Sequence, residues 1–223
     1  MPIPFTVEQF FGVIRLYNNA VWPAQVLLLL LAVLVVIFIA LRRPWSGMAV
    51  SAILALLWLW VGAAYHLAFF VQINPAALGF GALSIVGGFL FVWQGVVRRR
   101  LAFVFAKNLR TGLGVSLIAF ALVVYPVWAT LAGHGYPELP TFGLPCPTTI
   151  FTIGVLAVAY GADLRSVLAA PILWSFVGSQ AAFLFNVKPD FGLLVAGVVA
   201  IGLFIWPGHA KRTSATRFCP WTI

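Results

Sequence analysis

The sequence predicts an all-α integral membrane protein with seven transmembrane helices. Of its 223 residues, 63% are hydrophobic and 8% are charged, and the mean hydropathy is +1.09. A soluble domain is about 45–50% apolar and about 25% charged, so this composition excludes a soluble globule. The apolar runs are continuous and reach the roughly 20 residues that a spanning helix needs. They exclude a membrane β-barrel, whose strands alternate in polarity.

A short amphipathic helix is expected before the first span. Four apolar side chains share one face of residues 6–17, namely Val7, Phe10, Phe11 and Ile14. Thr6 and Gln9 have the spacing of a capping box at its start. Such a helix is expected to lie on the outer leaflet.

Seven apolar runs follow, and each predicts one transmembrane helix. They cover residues 22–41, 48–70, 78–97, 111–131, 148–162, 166–185 and 190–206. Backbone polar groups cannot be left unpaired in lipid, so each run is expected to be helical. The chain is therefore predicted to form one polytopic membrane domain over residues 1–210, followed by a cytoplasmic tail over residues 211–223.

The basic residues indicate the orientation of these spans. Of the 13 Lys and Arg residues, all but Arg15 and Lys188 follow the first, third, fifth or seventh span. The positive-inside rule then predicts an outer N-terminus and a cytoplasmic C-terminus. Asp190, at the start of the last span, is grouped with the outer-side charges. The formal net charge of +9 is thus assigned to topology and not to nucleic-acid binding.

This orientation also predicts the surroundings of the protein. The expected partners are the lipid bilayer, anionic headgroups on the cytoplasmic side and a small-molecule solute. The expected location is the cell inner membrane, and formation of a homo-oligomer stays open.

Two spans contain similar strings, which predicts an internal duplication. Leu57-Trp58-Leu59-Trp60-Val61-Gly62 in the second span matches Leu173-Trp174-Ser175-Phe176-Val177-Gly178 in the sixth. The two units run in the same direction, so the predicted plan is a parallel repeat of three spans, one linking span and three spans. This plan is similar to that of the SWEET-type sugar transporters. The similarity is architectural only and assigns no site residues.

Polar strings near the span ends carry a second resemblance. They are Tyr17-Asn18, Val21-Trp22-Pro23-Ala24-Gln25, Tyr65-His66, Ile73-Asn74-Pro75-Ala76-Ala77, Gly133-His134-Gly135-Tyr136-Pro137 and Phe142-Gly143-Leu144-Pro145-Cys146-Pro147-Thr148-Thr149. Together they resemble an uncharacterised bacterial multi-pass membrane protein family, domain-of-unknown-function family 6064. The resemblance extends over the chain up to its basic tail. It implies no established activity, although similar proteins are sometimes labelled permeases.

The same polar strings supply the candidate site residues, because nearly all of them lie on the outer side. The predicted pathway residues are Tyr65, His66, Asn74, Ser175, Ser179 and Gln180. The predicted outer lid is the loop from Ala132 to Pro147, with His134, Tyr136, Glu138 and Cys146. No Asp, Glu, Lys or Arg is predicted in the middle of a span, which disfavours a pump or a carboxylate-driven antiporter.

These features favour a permease-like transporter or channel for a small neutral or weakly polar solute, with an outward-facing site. Two alternatives stay open. The first is a membrane-embedded enzyme in which His66, His134 and Cys146 bind a metal or Cys146 carries thiol chemistry. The second is a non-catalytic scaffold or subunit. No HxxxH or CxxC pair is present, so no metal or cofactor is predicted, and the balance leans away from an enzyme.

Overall fold

The computed structural model describes residues 4–161 and 164–206. These ranges contain eight helices, which are α1 (Val7–Val21), α2 (Ala24–Leu41), α3 (Ser46–Gln72), α4 (Ala77–Val97), α5 (Leu109–Leu131), α6 (Pro145–Ala157), α7 (Leu164–Leu184) and α8 (Lys188–Ile205). The same ranges contain two short strands, β1 (Ala102–Phe103) and β2 (Ala159–Tyr160). The predicted tail over residues 211–223 lies outside the described residues.

Six of these helices are long and apolar enough to cross a membrane, namely α2, α3, α4, α5, α7 and α8. The prediction of a multi-pass helical protein is confirmed at this level. The predicted fifth span, residues 148–162, corresponds to α6, which has 13 residues. At 1.5 Å per residue α6 is about 20 Å long, shorter than the roughly 30 Å hydrocarbon core of a bilayer.

Helix α6 lies at the centre of the bundle. Each of its residues except Cys146 is buried, and α3, α5, α7 and α8 pack against it. The Trp58 indole donates a hydrogen bond to Thr152 Oγ1 at 3.1 Å, and the Thr152 hydroxyl donates to the Thr148 carbonyl at 2.8 Å. A helix that is enclosed by protein has its polar groups satisfied there, so it need not match the thickness of the bilayer.

A short antiparallel pair of strands, β1 and β2, lies at the C-terminal end of α6. Ala102 pairs with Tyr160 and Phe103 with Ala159, and the Val104 N–H donates to the Val158 carbonyl at 3.0 Å. The pairing satisfies backbone groups that would otherwise be left unpaired where the helix ends. It is the one departure, among the described residues, from the all-α prediction.

Close backbone contact joins α5 to α6 through two glycines. A Cβ atom added to Gly114 would lie 2.7 Å from the Gly154 carbonyl oxygen, and one added to Gly154 would lie 2.9 Å from the Gly114 carbonyl oxygen. Such small-residue contacts are how membrane helices approach one another closely. Substitution at either glycine therefore forces α5 and α6 apart.

The predicted amphipathic helix is confirmed as α1. Thr6 Oγ1 accepts a hydrogen bond from the Gln9 N–H at 3.2 Å, and Gln9 Oε1 accepts one from the Thr6 N–H at 2.8 Å, which completes the capping box. Phe11 and Ile14 from the predicted apolar face are buried against protein, whereas Val7 is 46% exposed. The apolar face of α1 thus packs on the bundle end and is not simply turned to lipid.

Candidate functional site

A cavity of about 340 Å³ lies at one end of the bundle, and residues of α1 and of α3 to α8 line it. Its wall is mainly aromatic and includes the rings of Phe10, Tyr65, Phe70, Phe80, Trp174 and Phe185. Concave, mostly apolar cavities of this size with a few polar groups are typical of small-molecule sites.

Local helix geometry brings two tyrosines to this cavity. Tyr65 lies within a π-helical segment of α3, Val61–Leu67, and Tyr125 directly follows another in α5, Phe120–Val124. A π-helical turn holds an additional residue, so it rotates the side chains beyond it onto a different face, and such turns are frequent at functional sites. Both tyrosines are buried and line the cavity.

One polar group of the cavity is a carboxylate, and the sequence does not reveal that it is buried. Asp190 is 1% exposed. Its Oδ1 accepts a hydrogen bond from the Tyr125 hydroxyl at 2.5 Å, and the Cys146 thiol interacts with the same carboxylate. Asp190 directly precedes the α-helical turns Phe191–Ile205, yet it makes no capping hydrogen bond. The side chain is therefore used inside the cavity and not to cap its own helix.

Four of the predicted site residues converge on the cavity. Tyr65, Asn74, Cys146 and Gln180 all line it. Asn74 also fixes the entry to α4, because its Oδ1 accepts a hydrogen bond from the Ala76 N–H at 3.0 Å. Cys146, predicted as part of the lid, instead lies at the start of α6 in the cavity wall.

His66 lies directly behind the aromatic wall. It is fully buried, and its ring centroid is 4.8 Å from that of Trp174 and 5.8 Å from that of Phe80. Neither ring nitrogen has a hydrogen-bond partner in the part of the chain that the structure describes. An unpaired polar group is costly in apolar surroundings, so this position is one where a water or a ligand group would be stabilised.

The two predicted serines do not reach the cavity. The Ser175 hydroxyl donates to the Ile172 carbonyl at 2.8 Å, and the Ser179 hydroxyl donates to the Phe176 carbonyl at 3.0 Å. A Cβ added to Gly197 in α8 would lie 2.5 Å from Ser175 Oγ, so Ser175 faces the α7 and α8 contact. The structure therefore separates Ser175 and Ser179 from the other predicted pathway residues.

The remaining lid residues attach the long loop, residues 132–144, to α1. The His134 ring stacks on Phe11, with centroids 4.1 Å apart. The Tyr136 hydroxyl donates to the Asn18 carbonyl at 3.4 Å. Glu138 forms an ion pair with Arg15.

Asn18 is the centre of this attachment. Its side chain is fully buried and donates to the carbonyls of Pro137 at 2.7 Å and Leu139 at 2.8 Å. Its Oδ1 accepts a hydrogen bond from the Thr141 hydroxyl at 2.7 Å. We call α1 together with residues 132–144 the cap, because both parts contribute residues to the cavity lining.

Tyr17 connects the cap to the bundle. Its hydroxyl accepts a hydrogen bond from the Trp60 indole at 2.7 Å and donates to the Gly143 carbonyl at 3.4 Å. Burial raises the pKa of Tyr17 to about 12, although the hydrogen bond from Trp60 acts in the opposite direction. The phenol therefore stays protonated at neutral pH and retains both bonds.

The three residues of the metal alternative are held in different places. His134 stacks on α1, His66 lies behind the cavity wall, and Cys146 contacts Asp190. Within residues 4–161 and 164–206, no three His, Cys, Asp or Glu side chains are arranged to hold a metal ion.

Reactivity of Cys146 tests the geometry of the cavity. We expect Cys146, which is partly exposed and lines the cavity, to react with N-ethylmaleimide about tenfold faster than a buried cysteine, because thiol reactivity follows access. The rate of labelling is measured by mass spectrometry in a Cys219→Ser background, so that Cys146 is the cysteine that reacts. Cys219 lies outside the described residues. The matched control is Thr149→Cys in a Cys146→Ala background, since Thr149 is buried on the same helix. Equal rates for the two positions would show that the cavity does not reach Cys146.

The fold places the protein among multi-pass helical membrane proteins, because six of its helices have the length and composition to cross a bilayer. Within that class the chain belongs to DUF6064, a family of unknown function whose profile matches residues 7–215. This match confirms the family resemblance of the polar strings. No curated protein and no solved structure matches the chain significantly, and the similarity to SWEET-type transporters is not supported.

Proposed function

We propose that the protein is a permease-like transporter or channel whose cavity binds a small solute beneath the cap. The observation that carries the proposal is the cavity of about 340 Å³, where predicted site residues from α3, α6, α7 and the turn between α3 and α4 converge. Its mixture of aromatic walls and few polar groups suits a small molecule that is apolar over most of its surface.

We further propose that this cavity opens on the extracytoplasmic side of the cell inner membrane. The basic residues Arg42, Arg98 and Arg165 mark one end of the helices. The cavity residues lie toward the opposite end. The positive-inside rule assigns the basic ends to the cytoplasm, where anionic lipid headgroups would contact them.

Helix α6 is proposed to provide a seventh crossing despite its length. The first two residues of α6, Pro145 and Cys146, line the cavity. At the other end of α6, β2 pairs with β1, and β1 follows the basic residues after α4. This path supports an outer N-terminus and a cytoplasmic C-terminus. It is also compatible with the parallel repeat of three, one and three spans.

The charge of the solute is left open in this proposal. The sequence favours a neutral or weakly polar solute because no charged residue is predicted in the middle of a span. Asp190 is nevertheless buried at the cavity, so the reason for restricting the proposal to neutral solutes no longer holds.

Blocking the cavity tests the proposal. Full-length protein is reconstituted into liposomes, and uptake of sugars, amino acids and small amines is compared with that of empty vesicles. Ala76 is exposed and lines the cavity, so we expect Ala76→Phe to reduce flux about tenfold by occupying the binding space.

Ala68→Phe is the matched control, because Ala68, near the end of α3, is also exposed but does not line the cavity. It is expected to retain native flux. Absence of flux for every solute class, or equal loss in the two variants, would count against a transport pathway through this cavity.

A thiol-dependent enzyme is the second candidate, because Cys146 interacts with a carboxylate inside a ligand-sized cavity. Under this alternative Cys146→Ala abolishes product formation while solute binding persists. Under the transport proposal Cys146→Ala retains flux, so one variant distinguishes the two functions.

A further inference from the structure

The carboxylate of Asp190 has no cationic partner in the described part of the chain. The ion pair found there joins Arg15 to Glu138 in the cap. The groups that meet Asp190 are the Tyr125 hydroxyl and the Cys146 thiol, neither of which carries a positive charge. Lys188 lies two residues away in the chain, but it is exposed and does not line the cavity. Burying an anion without a counter-charge is costly, so Asp190 favours any cation that enters.

The walls around this carboxylate are suited to a particular kind of cation. Tyr65 stacks on Phe70 with ring centroids 5.6 Å apart, and Phe80 and Trp174 are T-shaped with ring centroids 5.3 Å apart. Phe10 of the cap stacks on Phe185 at 4.6 Å. Aromatic rings attract organic ammonium groups through the negative potential of their faces, and choline-type ligands are commonly held in this way.

The same lining disfavours other charged solutes. Among residues 4–161 and 164–206, no Lys or Arg lines the cavity, so none of these side chains would pair with an anion there. Metal cations such as Ca²⁺ take six to eight oxygen ligands, whereas Asp190 is the one acidic side chain among the lining residues that the structure describes. An organic cation differs because most of its surface can contact rings while its charge meets a single carboxylate.

We infer that the cavity recognises a small organic ammonium cation, with its charged nitrogen directed at Asp190 and its apolar part against the aromatic wall. This inference rests on the proposed function, since it requires that the cavity admits a solute. It adds the chemical class of that solute and makes Asp190 the residue that selects for charge.

The first test compares two probes of nearly equal shape on the native full-length protein. Choline and its uncharged carbon isostere dimethylbutanol are titrated into purified protein in lipid nanodiscs by isothermal calorimetry. We expect choline to bind at least about tenfold more tightly, because only the ammonium gains from the carboxylate and the rings. Equal affinities for the two probes overturn the inference. Because this test uses the native protein, its result does not depend on whether a variant folds.

The second test assigns the preference to Asp190. Asp190→Asn keeps the size of the side chain and removes its charge, so we expect it to remove the carboxylate's share of the difference between the two probes and to leave only the smaller share that the rings contribute. Glu8→Gln makes the same change in formal charge at an exposed position of α1 and is expected to leave the difference intact.

The outcomes separate the inference from the proposed function. A variant at Asp190 that keeps the full preference for choline overturns the assignment of Asp190. Binding or flux of uncharged solutes without any preference for ammonium overturns the inference and leaves the transport proposal standing. Absence of binding and flux for all probes overturns both.

Discussion

Replacing Asn18 by alanine is expected to detach the long loop, residues 132–144, from α1 and to lower the free energy of unfolding by about 2–4 kcal/mol. The buried side chain satisfies two loop carbonyls and one hydroxyl, those of Pro137, Leu139 and Thr141. Alanine leaves all three without this partner. The expected readouts are a lower thermal midpoint in detergent and faster proteolysis within residues 132–144.

Asn19→Ala is the matched control, because Asn19 is adjacent on α1 but exposed. Its stability and its proteolysis pattern are expected to be those of the native protein. If Asn18→Ala and Asn19→Ala behave alike, the loop is held to α1 by its other contacts, and the central role of Asn18 is wrong.

Replacing Gly154 by leucine is expected to disrupt the core of the bundle. A Cβ at this position would lie 2.9 Å from the Gly114 carbonyl oxygen and 3.0 Å from the Ile118 backbone nitrogen. Both contacts are with backbone, which cannot move aside as a flexible side chain does. We expect a loss of about 3 kcal/mol or more of unfolding free energy, measured by thermal or denaturant unfolding together with the yield of monodisperse protein.

The control for this prediction lies on the facing helix. Gly112 of α5 has no atom within 4 Å of an added Cβ, so Gly112→Leu is expected to leave stability near that of the native protein. Comparable losses at Gly112 and Gly154 would indicate that leucine is unfavourable for reasons other than the approach of α5 to α6.

Most of the helical framework was predictable because a lipid-facing helix must be apolar over a fixed length. The predicted run 22–41 corresponds to α2 at Ala24–Leu41, and the run 78–97 to α4 at Ala77–Val97. Helix α6 was harder to place, since a helix without a lipid face obeys no such length rule. Its three threonines, Thr148, Thr149 and Thr152, are buried, although threonine is usually exposed in a soluble protein.

The cavity was predictable only where polar residues stand near the ends of apolar runs or in the loops between them. Tyr65, Asn74 and Gln180 stood out for that reason and do line it. Asp190 did not, because an aspartate before a helix is the usual pattern of an N-terminal cap. Asn18 was part of a polar string but not a predicted site residue, since its burial depends on a loop 119 positions away in the chain.

Ser175 and Ser179 differ from these residues because they do not line the cavity. Ser175 and Ser179 were predicted in the pathway because hydroxyls in an apolar helix suggest a polar lining. In the structure each hydroxyl bonds to a carbonyl of its own helix three residues earlier. Such local bonds satisfy serine without any ligand, and the sequence does not distinguish the two situations.

The enclosure of α6 sets the order in which the protein can be completed during synthesis. A helix that contacts only protein gains nothing from remaining in lipid, so α6 depends on the helices that surround it. Two of those helices, α7 and α8, follow it in the chain. The centre of the bundle therefore stays incomplete until α7 and α8 have been synthesised, and residues 145–157 lack part of their protein surroundings until then.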